Sequence, residues 1–173
     1  MKLHFVIILL LQCNLYAQAP RDLNFYLAHN QVSVNSKDFC NGKFDAWDDE
    51  KTNSIIDSLQ TRNDITRPFY IYLVSKILDR EATILSASFG ALCKNFAESY
   101  PDFLMEFLFS KSKMNEKRFL GNWSYQLMME FLIDCPETEK QCIQHSLQQG
   151  LKKCKPANQL QLKKFYTMIQ AAL

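Results

Sequence analysis

Cys135, Cys142, His145 and Cys154 are the residues in this chain most able to do chemistry together. Cysteine thiolates and imidazoles bind zinc in tetrahedral sets. Cys142 and His145 are three positions apart, so on a helix they share a face. A structural zinc site, however, needs a closed set of ligands with short knuckles between them. None of these spacings makes a knuckle, and on one helix the outer cysteines would lie at opposite ends. A disulfide or free thiols beside a solvated His145 fits the pattern better than a metal centre.

Asp45, Asp48, Asp49 and Glu50 cluster around Trp47. Carboxylates of this kind can hold a hard cation such as calcium. The alternating ligands and glycine of an EF-hand loop are missing. Acidic residues also collect at helix N-termini, where the helix dipole favours them, and a helix is expected just after this cluster. A metal-binding or enzymatic alternative rests on residues 45–50 or on Cys142 and His145.

The rest of the inventory is sparse. His29 has no evident partner. Ser86, Ser88 and Ser99 lie in no nucleophile elbow, and no glycine-rich phosphate loop is present. Carboxylates can do acid–base work, but spacing singles out no pair among the 18 acids. No catalytic, cofactor-binding or metal residue is therefore assigned, and no cofactor is expected. Lys111, Lys113, Lys117 and Arg118 form one basic patch; Lys152, Lys153, Lys155, Lys163 and Lys164 form another. Both read first as solvated helix ends, and contact with anionic envelope polymers or lipid head groups is the functional alternative. A net charge of +2 gives little long-range attraction and argues against a nucleic-acid binder.

The address is read at the N-terminus. Lys2 precedes an apolar run over residues 3–11, and small residues follow at Ala17 and Ala19. This is the layout of a secretory signal peptide, of bacterial type, with the preferred cut after Ala17. The alternative is a lipoprotein anchored through Cys13. The apolar run is shorter than the roughly 20 residues that span a bilayer, and no transmembrane helix is expected in the mature chain. The protein is expected in the periplasm or outside the cell.

Export permits disulfides. Five of the six cysteines follow Cys13, so one at least stays unpaired. Cys93 is the expected free thiol, because it shares an apolar face with Phe89 and Phe96. If a helix starts at Pro136, Cys135 and Cys142 lie about 10 Å apart along it, beyond the roughly 7 Å limit for a bridge. If Gly150 ends that helix, the chain can turn back and join Cys142 to Cys154. Cys40 and Cys135 are then left as the second pair. Fully reduced thiols are the alternative.

The elements that must position these residues are helices. Only 4 Gly and 5 Pro are present, too few for a turn-rich β fold, and 47% hydrophobic residues suffice for a core. Pro68, Pro101, Pro136 and Pro156 each precede an apolar-periodic run, where proline suits a first helical turn. Residues 69–74 are apolar on every side and predict a central buried helix, with a strand as the competing assignment. Short helices are expected over residues 21–29 and 48–61, and a loop over residues 30–46. Residues 1–17 are expected to be the signal peptide, 18–46 an N-terminal segment of short helix plus loop, and 47–173 an α-helical domain. The expected fold is all-α, a single domain of six to eight stacked antiparallel helices, an αα-hairpin array loosely like HEAT repeats.

The expectation for function is correspondingly general. It is an exported, non-enzymatic protein that binds a macromolecule, either a protein or an envelope component. A small periplasmic inhibitor or immunity protein is a further alternative.

Overall fold

The structure, a computed structural model, describes residues 21–46, 50–61, 63–81 and 87–173. The expected signal peptide, Cys13, Trp47, Asp48, Asp49 and Ser86 lie outside the described residues.

Among the described residues the chain forms nine α-helices and no strand. They are α1 (Leu23–Ala28), α2 (Val34–Cys40), α3 (Glu50–Leu59), α4 (Arg67–Glu81), α5 (Ala87–Ser99), α6 (Pro101–Leu108), α7 (Lys117–Ile133), α8 (Glu139–Lys153) and α9 (Gln159–Ala171). One 3-10 turn, Pro156–Asn158, leads into α9. Successive helices pack as hairpins, α3 on α4 and α8 on α9, and α7 lies against α4, α5 and α9. The helical array is the expected fold class, with one helix more than the expected upper number.

The central helix is α4. Phe69, Tyr70, Ile71, Leu73, Val74, Ile77 and Leu78 are all buried, so it meets protein on several sides. A helix apolar all round is stable only in such a place. Ser75 supplies its polar tie: the hydroxyl donates to the Ile71 carbonyl and accepts the Trp123 indole N–H at 2.8 Å. Pro68 sits in the first turn of α4, and Pro101 opens α6.

Residues 30–46 are not the expected loop, because α2 lies within them. Ser33 caps it by accepting the Ser36 N–H. Its C-terminus closes as a Schellman motif, with Gly42 N–H to Phe39 O and Lys43 N–H to Asp38 O. Gly42 takes φ +70°, which a side chain would strain. The N-terminal segment is part of the same core. Tyr26 stacks on Phe69 with ring centroids 5.3 Å apart, and Val32, Phe39 and Ala46 are buried.

The helix after Cys135 starts later than Pro136. Thr138 is its N-cap and forms a capping box with Gln141. Residues 135–138 are thus free to curl, and Cys135 and Cys142 form a disulfide with Cα atoms 6.1 Å apart. This corrects both expected bridges, Cys142 to Cys154 and Cys40 to Cys135. Nor does Gly150 end α8, which continues to Lys153. Gly150 permits close packing instead: a Cβ there would stand 3.2 Å from Leu162 Cδ2 and 3.5 Å from the Ala97 carbonyl.

Candidate functional site

The reactive groups singled out above are dispersed. Cys142 is spent in the disulfide, so it cannot ligate metal beside His145, which is exposed on α8. Among the described residues no three His, Cys, Asp or Glu side chains are grouped to hold a metal ion. Asp45 pairs with Arg80 at 3.0 Å, while Glu50 is exposed in the first turn of α3. Arg118 bonds Glu116 and Asp79, and Lys155 reaches Glu106, so part of each basic patch is neutralised.

The free thiols are poor nucleophiles. Cys93 is fully buried, and burial pushes its pKa far up. Cys154 is buried beside Asp102; burial and the neighbouring carboxylates raise it to about 11. Both are protonated at neutral pH, and the thiolate is the reactive form. Burial also raises the half-buried Cys40. Asp102 is a structural tie, accepting from the Lys155 N–H at 3.0 Å and the Asn158 side-chain amide at 2.8 Å.

What the fold does assemble is a groove of about 320 Å³. One wall is the α1–α2 connection, with Asn30, Gln31, Val32 and Ser33. The other is the end of α3 and the turn into α4, with Ser58, Thr61, Asn63 and Thr66; Tyr70 also lines it. The walls are joined by an amide pair, Asn63 Nδ2 donating to Gln31 Oε1 at 2.8 Å. The Asn63 carbonyl oxygen accepts the Ile65 and Thr66 N–H groups, which fixes the turn. The Tyr70 hydroxyl accepts from the Ser33 N–H at 3.5 Å, leaving its own proton to donate.

Arg67 holds this turn from the other side. It is buried, with its guanidinium 3.9 Å from the Tyr100 ring centroid and 4.7 Å from that of Phe103. It pairs with Asp64 and donates to the Thr61 carbonyl at 2.5 Å. The planar, always-charged guanidinium can stack and fork at once, which lysine cannot.

No described residue lining the groove is charged at neutral pH. The described lining offers amide and hydroxyl hydrogen-bond donors and acceptors on facing walls. Sequence reasoning passed over these residues, because neutral amides and hydroxyls are also ordinary loop composition.

Comparison with protein-family models, with curated proteins and with solved structures finds no match for this chain.

Proposed function

We propose that this chain is an exported, non-catalytic binding protein that holds an envelope component or partner in the groove between the α1–α2 connection and the start of α4. The observation that carries this reading is the lining itself: among the described residues, amides and hydroxyls from two separate segments converge there. Specific recognition needs a few well-placed polar groups on a rigid frame. Arg67, Asn63 and the buried Tyr70 supply that frame. Export is supported by the Cys135–Cys142 disulfide, since such bonds persist in oxidising compartments. No helix among the described residues is long and apolar enough to cross a membrane.

The test is retention of envelope material on immobilised protein. Thr61 is exposed on the groove wall, so Thr61→Trp fills the space while leaving the core alone. Material retained by the wild type and by His145→Ala, but lost with Thr61→Trp, supports the reading. Equal retention by all three refutes it.

A second reading, a small inhibitor or immunity protein, is favoured by one feature. Leu132 and Ile133 are exposed at the end of α7, beside the disulfide-bonded turn. A protein partner covering them would leave the groove open.

A further inference from the structure

We propose that the outward face of the α8–α9 hairpin docks on an anionic lipid surface, with Lys152, Lys153, Lys163 and Lys164 on the head groups and Leu160 entering between them. This face is separate from the groove and shares no residue with it.

Charge comes first. Residues 140–173 hold six lysines and no aspartate or glutamate. The rest of the chain carries all 18 acids against the other 14 of the 20 basic residues. A net charge of +2 therefore conceals a hairpin at +6 and a remainder at −4. All six lysines are exposed, and among the described residues only Lys155 has an ion pair, to Glu106 of α6 at 3.6 Å. At a range below the screening length the local patch, not the total, decides what is attracted.

Packing gathers these charges. α8 lies on α5 and α9 on α7, with α5 and α7 packed together. The hairpin is thus an outer layer whose two helices face the same way. The Ser146 and Tyr166 hydroxyl oxygens are 2.7 Å apart, and Gly150 lies against Leu162, which fixes the register. Lys152 then stands level with Leu160, and Lys163 and Lys164 level with Gln149 and Gln148. Lys152, Lys153, Lys163 and Lys164 fall within about 8 Å of helix length. Solvation of helix ends explains only half of them. Lys152 and Lys153 occupy the last turn of α8, where the dipole favours cations. Lys163 and Lys164 sit in the second turn of α9, where it does not.

The apolar residues select lipid. On α9, Leu160, Lys163, Lys164, Thr167 and Met168 are exposed at helical spacing along one face. Leu160 is 62% exposed and Met168 38%. A soluble polyanion offers charge but nothing apolar to cover Leu160. A bilayer boundary offers both: apolar tips enter it while lysine stems snorkel and leave the ammonium groups among the head groups. Nucleic-acid surfaces interleave arginine forks and exposed aromatic rings. This hairpin has no arginine, and its Phe165 and Tyr166 are buried.

The experiment is co-sedimentation of the purified protein with vesicles of phosphatidylcholine alone or mixed with phosphatidylglycerol. Binding is expected with the mixed vesicles only. It should weaken steeply as salt shortens the screening length from about 30 Å at 0.01 M to about 3 Å at 1 M. Each lysine near an anionic surface is worth about fivefold, so Lys163→Gln/Lys164→Gln should weaken binding about 25-fold. Lys37→Gln/Lys51→Gln removes the same charge from α2 and α3, at the α4 side of the array. That pair should stay within about twofold of wild type. Leu160→Ser should weaken binding several-fold with the salt dependence kept, since it removes only apolar contact. The α9 positions are exposed, so melting temperatures should hold. No binding to the mixed vesicles at low salt, or an equal loss in the two lysine pairs, overturns the proposal. Polyphosphate bound as tightly as the vesicles, with Leu160→Ser harmless to both, overturns the lipid assignment and makes the face a site for a soluble polyanion.

Discussion

Cys135 and Cys142 are bonded across the start of α8, enclosing the Thr138–Gln141 capping box in the loop they close. The bond and the cap act on the same few residues. The cap satisfies helix N–H groups that would otherwise be orphaned. The disulfide limits the unfolded chain over that stretch. For so short a loop the chain-entropy estimate is about 2–3 kcal/mol. The paired variant Cys135→Ser/Cys142→Ser should lose about that much in urea unfolding. Non-reducing peptide mapping should find this pair, with Cys40, Cys93 and Cys154 alkylated only as free thiols. A Cys142–Cys154 peptide would contradict the continuous α8.

The buried contact between Trp123 and Ser75 yields a second expectation. Ser75→Ala leaves the indole N–H without its acceptor in a dry core. An unsatisfied buried donor costs about 1–3 kcal/mol. Urea unfolding of the variant should show that loss. Adding Trp123→Phe, which removes the orphaned donor, should show less than the sum of the two single losses.

Arg67 joins the groove to the core, so its substitution should be felt in both. Arg67→Lys keeps a charge but forfeits the stacking on Tyr100 and Phe103 and the fork to Asp64 and Thr61. A desolvated cation–π contact alone is worth about 2 kcal/mol. A stability loss of roughly 2–3 kcal/mol is expected. Amide exchange should also speed up over residues 61–66. A loss confined to global stability, with no local loosening of that turn, would show that Arg67 does not hold the groove wall.

Glu130 sets a pH dependence. It is buried on α7 against α5, where a Cβ on Gly90 would come within 2.6 Å of its Oε2. Burial, helped by the Asp134 charge and opposed by Lys94, raises its pKa above the usual carboxylate range. The fold therefore favours the protonated acid. This contribution is fully present below the unfolded pKa, and it is lost as pH rises through the raised folded value. Glu130→Gln should melt higher than wild type at pH 8, with the difference shrinking towards pH 4. A variant less stable than wild type at pH 8 would mean that the carboxylate has a stabilising partner.

How much of this was legible depends on where each signal sits. Residues 69–74 announced α4, because apolar side chains on every face have one stable environment, the middle of a bundle. Cys93 was legible for the same reason, through its place on the Phe89 and Phe96 face. Pro136 misled. Proline suits a first helical turn, but Thr138 and Gln141 make the stronger start two residues on, and that offset decides which cysteines can meet. Gly150 misled too, since a glycine that stops a helix and one that admits a neighbouring helix look alike until Leu162 and Ala97 are in place. The helix α2 was hidden in Asn, Ser and Gly, which here are its caps. The groove could not be read at all. Its walls come from segments around residues 31 and 63, joined only by tertiary packing and the Asn63–Gln31 amide pair.

The central claim is that this protein recognises its partner through the groove. The most direct measurement is hydrogen–deuterium exchange of the purified protein, alone and with solubilised envelope material. Binding in the groove predicts slowed exchange over residues 30–36 and 58–70, with α5 unchanged. Protection centred on the end of α7 around Leu132 and Ile133, with residues 30–36 exchanging as in the free protein, would contradict it.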